Sequence, residues 1–148
     1  MERQVRVLLL DDEPIVGKRL VPALAKLGVE TESFTDPEAA LRQIAQKDFD
    51  IVVTDFRMDK MDGLEVLKRV LQKNPRTKVI IITGYATLEI ARQALAIGAF
   101  DFIAKPFKPN DLRNIVVKAA RALGYKINEK LVDSSPAHGD SDMELSGS

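Results

Sequence analysis

Between residues 5 and 123 the chain alternates two hydrophobic patterns: short apolar runs of strand length, and longer stretches whose apolar residues recur at helical spacing. The pattern predicts strands over 5–10, 29–34, 50–54, 78–83 and 100–103, each followed by a helix. Leu67, Val70 and Leu71 mark the buried stripe of the third helix, and Leu112, Ile115, Val116, Ala119 and Leu123 that of the fifth. Turn residues support these boundaries. Gly28 and Gly98 fall where helices end in a left-handed residue, while Asp36-Pro37 and Pro109-Asn110-Asp111 supply cap and first-turn residues for the helices that follow. The runs 7–10, 51–53 and 79–82 are apolar without alternation, the mark of parallel strands covered by helices on both faces. Strict alternation of strand and helix predicts a doubly wound α/β fold with right-handed crossovers.

Composition narrows the function classes. A length of 148 residues suits one domain with a short appendage, and 45% apolar with 30% charged residues excludes wholesale disorder. The net charge is zero, so no global field draws the chain onto nucleic acid or anionic lipid. Local basic groups, Arg76 with Lys78 and Lys118 with Arg121 and Lys126, are sparse, and no specific DNA binding is expected of them. Absence of Cys excludes disulfides, thiolate metal sites and thiol nucleophiles. No apolar run approaches the ~18–20 residues of a membrane span, so the chain is expected to be cytoplasmic and free of membrane. All 22 basic residues but only 18 of the 22 acids lie in 1–130, leaving 131–148 with Asp133, Asp140, Asp142, Glu144, five Ser and two Gly. The expectation is a domain over 1–126 and a disordered acidic, Ser-rich tail over 127–148. The one histidine, His138, falls in that tail, a poor place for a base that must be held still.

Candidate chemistry sits just after the strands, where open parallel sheets bind their ligands. The first strand runs into Asp11-Asp12-Glu13, the third into Asp55, the fourth ends in Thr83-Gly84, and Lys105-Pro106 follows the fifth. Taken singly, each has a plainer role: Asp11 or Asp12 as a helix cap before Pro14, Asp55 as a turn residue, Thr83 as a strand end, Lys105 as solvated surface. Their shared position at one end of the sheet favours function. Three carboxylates from two strands make a hard oxygen site suited to Mg²⁺, and that ion favours a phosphoryl partner. Lys105 and Thr83 add a positive charge and a hydroxyl suited to phosphoryl oxygens, and one carboxylate would serve as nucleophile.

This set of residues resembles a response-regulator receiver domain, the phosphorylatable unit of bacterial two-component systems. The likeness covers roughly residues 4–123 and rests on Asp11-Asp12, Asp55 after Ile51-Val52-Val53-Thr54, Met61-Asp62-Gly63, Thr83-Gly84 and Lys105-Pro106. The stretch 98–107, Gly-Ala-Phe-Asp-Phe-Ile-Ala-Lys-Pro-Phe, is similar to receivers of sigma-54-dependent transcription activators. The resemblance implies a flavodoxin-like, five-stranded parallel sheet of order 2-1-3-4-5. It further implies Asp55 as phosphoacceptor, Asp11, Asp12, Asp55 and the Arg57 carbonyl around Mg²⁺ or Mn²⁺, and Lys105 and Thr83 as phosphoryl-binding groups. Thr83 and Phe102 would form the switch, Arg57 and Tyr85 would tune phosphoryl lifetime, and the Lys105–Pro106 peptide would be cis. At Asp59 the family usually has Pro; the change adds a negative charge near the site and removes no ligand.

The function this implies is a phosphorylation-activated switch and not an enzyme, although it promotes its own phosphorylation and dephosphorylation. Its phosphoryl donor would be a histidine kinase or histidine phosphotransfer protein, and its output partner a downstream protein or a second copy of the chain. One alternative is a receiver piece of a longer sigma-54-type activator, since the 25 residues after Leu123 are too few for a helix-turn-helix module and no GxxxxGK[ST] loop is present. A haloacid-dehalogenase-like phosphatase also uses Asp, Mg²⁺ and Lys, but its DxDx(T/V) pattern does not match Asp11-Asp12-Glu13-Pro14.

Overall fold

The computed structural model of the chain describes residues 3–84 and 88–127. Strands and helices alternate in the order β1 (Arg6–Leu10), α1 (Pro14–Ala25), β2 (Glu30–Phe34), α2 (Pro37–Gln46), β3 (Ile51–Asp55), α3 (Gly63–Lys73), β4 (Lys78–Thr83), α4 (Leu88–Ile97), β5 (Asp101–Ala104) and α5 (Pro109–Ala122). The five strands are all parallel, in the order β2-β1-β3-β4-β5. Four of them start one residue later than the apolar pattern places them, and β3 and β5 also end one residue later. The ladder explains β3: Asp55 pairs with Ile82, and the Phe56 amide donates to the Ile82 carbonyl at 2.7 Å. Asp55 is thus the last residue of a strand, held by backbone on the β4 side.

Alternating side chains of the central strands feed two cores. Val7, Leu9, Val53, Ile80 and Ile82 pack with Val16, Leu20 and Leu24 of α1 and Leu112 and Val116 of α5. Leu8, Leu10, Val52, Val79 and Ile81 face the other way, onto Ala40 and Ile44 of α2, Val66, Leu67 and Val70 of α3, and Ala94 of α4. A strand buried on both sides needs no polar face, which is why its sequence reads as an unbroken apolar run. By contrast β2, at one edge, has the sequence Glu30-Thr31-Glu32-Ser33-Phe34 and no fully buried residue. Lys47, after α2, pairs with both Glu30 and Glu32 of this strand.

Helix boundaries follow local chemistry. Gly28 and Gly98 have φ of +77° and +128°, as their places after α1 and α4 predict. Asp36 caps α2 by accepting from the Ala39 amide at 3.3 Å, with Pro37 in the first turn. At α5 the cap position belongs to Lys108, one residue before the predicted Pro109-Asn110-Asp111 cap; Asp111 reaches back to accept the Lys108 amide at 3.1 Å. The cap falls there because Pro109 has no N–H to be satisfied and takes the first helical position. Tyr85, His138 and all but residue 127 of the predicted tail lie outside the described residues.

The two-sided core sets a contrast measurable by denaturation. Leu9→Ala, at a site with no exposed surface, is expected to lower stability by about 2–5 kcal/mol. Ile15→Ala, at a side chain 42% exposed, is expected to change it by less than about 0.5 kcal/mol. Urea midpoints of the two variants check both.

Candidate functional site

Parallel register gathers the site residues at one end of the sheet. Because Asp55 pairs with Ile82, Thr83 extends β4 by one residue beyond it, and Thr83 pairs in turn with Ala104 of β5. The Lys105 amide donates to the Thr83 carbonyl at 2.8 Å, which fixes where the Lys105 side chain starts. Closing β1, the Asp11 amide donates to the Phe34 carbonyl at 3.1 Å. Asp11, Asp55 and Thr83 are buried, at 2%, 6% and 3% exposure, and Asp12 is half-buried. Carboxylate oxygens of Asp11, Asp12 and Asp55 all lie within 4.8 Å of one another. From the far side Lys105 sends its Nζ to 3.2 Å from Asp11 Oδ2, and to 3.7 Å from both Asp55 Oδ1 and Glu13 Oε1. The Lys105–Pro106 peptide is cis.

Asp11 does not cap α1, where the cap position is Glu13 with no side-chain cap bond. Asp11 Oδ1 accepts from the Glu13 amide at 2.9 Å, ordering the lead-in to α1, while its Oδ2 faces Lys105. Burial and the neighbouring acids govern the charge of the group. Desolvation, followed by the negative charges of Asp11 and Asp12, pushes the Asp55 carboxyl up to about 7, with Lys105 opposing. Asp11 is raised as well, by burial foremost, against the Glu13 amide and Lys105. One ammonium cannot neutralise three carboxylates and the nearby Glu13. A compact set of hard oxygen donors with surplus negative charge fits a small divalent cation such as Mg²⁺.

A family model for the response regulator receiver domain matches residues 7–117. The chain belongs to the response-regulator receiver family. It is 36% identical over 134 residues to the response regulator protein PilR of Pseudomonas aeruginosa and 40% identical over 121 residues to the regulatory protein AtoC of Escherichia coli. Those alignments take in 90% and 82% of this chain but only 30% and 26% of the two proteins, so the chain spans less than a third of the length of these relatives. A CheY-like receiver domain protein from Methanospirillum hungatei superposes with a TM-score of 0.76 at 29% identity, over 82% of this chain and 98% of the other. A receiver domain protein from Clostridium thermocellum gives 0.76 at 28%, over 81% and 97%. The family match lends no support to the phosphatase alternative.

Within the receiver, the remaining predicted residues take distinct places. Arg57 is exposed in the loop after β3, and Asp59, where the family usually has Pro, is exposed two residues on. Phe102 is half-buried on β5, opposite Ile81 in the ladder, and packs on the α2–α4 side of the sheet. Thr83, two residues beyond Ile81, projects toward that same side by strand alternation. Asp62, in the Met61-Asp62-Gly63 motif, is a helix cap, accepting from the Glu65 amide at 2.9 Å. Gly63 has no room for a side chain: a Cβ there would stand 2.7 Å from the Asp55 carbonyl oxygen and 2.9 Å from Phe56 Cα. Its amide donates to the Phe56 carbonyl at 2.8 Å, so the start of α3 is seated directly on the backbone that carries Asp55. Glu13, named with Asp11 and Asp12 after the first strand, has no role assigned by the sequence, because a third acid after an acidic pair gives no separate signal. Its contact with Lys105 is a product of the fold.

A raised carboxyl pKa gives stability that is complete below the ordinary value of 3.8 and lost as pH climbs through about 7. In chelator-treated protein the urea midpoint is therefore expected to fall between about pH 4 and pH 7. Asp55→Asn should flatten that slope and raise the midpoint at the upper end. Lys105→Ala should lower the midpoint by about 1–3 kcal/mol equivalent, by leaving buried carboxylates without their counter-charge. Excess Mg²⁺ should raise the parent midpoint at the same pH by mass action.

Proposed function

We propose that this receiver is a phosphorylation-activated switch in which Asp55 accepts a phosphoryl group from the histidine of a kinase or phosphotransfer protein. The observation that carries the reading is the position of Asp55: at the end of a fully buried strand, its carboxylate 3.7 Å from Lys105 and clustered with Asp11 and Asp12. In the transfer, an Asp55 carboxylate oxygen forms a bond to phosphorus as the nitrogen–phosphorus bond of the donor breaks. The histidine nitrogen keeps that electron pair and the product is an acyl phosphate. Only an ionised Asp55 can attack, and burial among acids opposes ionisation, so positive charge at the site is a requirement of the chemistry. Asp11, Asp12 and Asp55, with the carbonyl of Arg57, would hold Mg²⁺ or Mn²⁺, which supplies part of that charge. Lys105 supplies the rest and meets the phosphoryl oxygens directly.

The Thr83 hydroxyl is the donor that would move toward the phosphoryl group, and Phe102, on the same side of the sheet, would follow into the space it leaves. That couples the site to the face made by α4, β5 and α5, where a downstream protein or a second copy of the chain would bind. Arg57, and by its position Tyr85, would tune the lifetime of the acyl phosphate. The chain would act in the cytoplasm as a switch, without turnover of a separate substrate. Among the described residues no helix is long and apolar enough to cross a membrane. A second reading, a receiver that forms part of a longer sigma-54-type activator, is favoured by one observation: PilR and AtoC are aligned over only 30% and 26% of their length.

Intact mass after incubation with a cognate kinase or acetyl phosphate should show a single base-labile phosphoryl addition. It should vanish in Asp55→Asn and on chelation. Addition that persists in Asp55→Asn would overturn the assignment. Thr83→Ala should phosphorylate yet lose the phosphorylation-dependent change at Phe102, at a stability cost within roughly 1 kcal/mol. Amide exchange with and without beryllofluoride, alongside a denaturant midpoint, reads both.

A further inference from the structure

At the opposite end of the sheet lies a half-buried carboxylate that the proposed phosphoryl chemistry does not use. Asp50, the residue before β3, has a side chain only 10% exposed and accepts four hydrogen bonds. Arg3 donates through both terminal nitrogens, at 2.9 and 3.0 Å; the Arg6 amide donates at 2.8 Å and the Tyr125 hydroxyl at 3.0 Å. The Asp50 backbone is engaged too, its amide donating to Arg6 at 2.9 Å and its carbonyl accepting from Lys78 at 2.9 Å. One side chain therefore ties residue 3, ahead of the first strand, to residue 125, past the last helix, through the base of the central strand.

Tyr125 reaches Asp50 because α5 stops sharply. Gly124 adopts φ +95°, a left-handed conformation that side-chain-bearing residues rarely take. The Gly124 amide donates to Arg121 at 2.9 Å and the Tyr125 amide to Ala120 at 3.1 Å, the paired bonds that close a helix end and turn the chain. Tyr125 and Ile127 then lie against the α1–α5 core. Were the helix to continue, it would carry these residues along its axis instead of back onto the sheet.

We propose that Asp50 is a clasp that fixes the direction in which the chain leaves the domain. It holds residues 124–127 to the pole of the sheet opposite Asp55, about 16 Å away along β3 at ~3.3 Å per residue. Residue 127, the last one described, is thus held on the pole remote from Asp55. The clasp does not depend on the reading of Asp55.

The test uses the full chain and three variants, Asp50→Ala, Arg3→Ala and Tyr125→Phe. With the clasp open, amides of 123–127 are expected to exchange about tenfold faster or more, and trypsin to cleave after Lys126 faster by a similar factor. Amides at the centre of β4 and the beryllofluoride response at Asp55 should match the parent. Tyr125→Phe, which leaves the carboxylate and Arg3 in place, should give a smaller increase of the same kind. If Asp50→Ala fails to fold, Arg3→Ala and Tyr125→Phe decide the matter. Unchanged rates at 123–127 in those two variants, or parent amides there already exchanging like free peptide, would overturn the clasp. Asp55→Asn should leave these rates as in the parent, which separates failure here from failure of the phosphoacceptor reading.

Discussion

Mutual repulsion among three carboxylates at the end of β3 is the constraint to which the rest of the site answers. Oxygens of Asp11, Asp12 and Asp55 confined within 4.8 Å of one another, two of the three side chains buried, would move apart if the backbone allowed it. The backbone does not. Asp55 is locked by pairing with Ile82 and by the seating of Gly63 against its carbonyl; Asp11 is locked by the Phe34 carbonyl and by its own bond to the Glu13 amide. Lys105 arrives from β5 to offset part of the charge. What remains is a standing demand for more positive charge, which a divalent cation would meet and a transferred phosphoryl group would reshape.

Such a site needs a rigid support, because a buried ion costs several kcal/mol even after relaxation. Each fully buried Leu, Ile or Val contributes about 1.5–3 kcal/mol. The central strands present such residues to both sides: Leu8, Leu9 and Leu10 in β1, Ile51, Val52 and Val53 in β3, Ile80, Ile81 and Ile82 in β4, all without exposed surface. Two or three of these side chains offset one strained carboxylate. The placement of unbroken apolar runs immediately before the acids is therefore part of the chemistry: the runs hold the acids where solvent alone would not leave them.

The apolar runs and helical stripes made the α/β class and the existence of all ten elements legible from the amino acids, and the residues after the strands pointed to the acid cluster. Strand order was a different matter, since nothing in periodicity says which strand neighbours which; it followed from the family resemblance. Ends of β3 and β5 shifted by a residue because register is set by partners distant in sequence. Lys108 capping α5 and Asp62 capping α3 were masked, the first by an unusual cap residue and the second by its place in a functional motif. Asp50 was invisible for the same reason that makes it effective. An aspartate at the predicted start of a strand gives no signal of its own, and its partners Arg6 and Tyr125 lie 44 and 75 residues away. The sequence also carried no sign of chemistry at the amino ends of the strands, and the half-buried carboxylate found there, Asp50, is taken up by hydrogen bonds from Arg3, Arg6 and Tyr125.

An open sheet has two borders, and a border strand offers unpaired backbone to any extended peptide that meets it. In β2 that border is written in Glu30, Thr31, Glu32 and Ser33, with Lys47 bridging both acids. A strand from a neighbouring molecule laid along it would have to desolvate these charges and displace the lysine while finding no hydrophobic strip to bury. The same residues that weaken β2 as a core element thus guard against aggregation, keeping a protein whose interior strands are almost wholly aliphatic from growing into a larger sheet when many copies are crowded together.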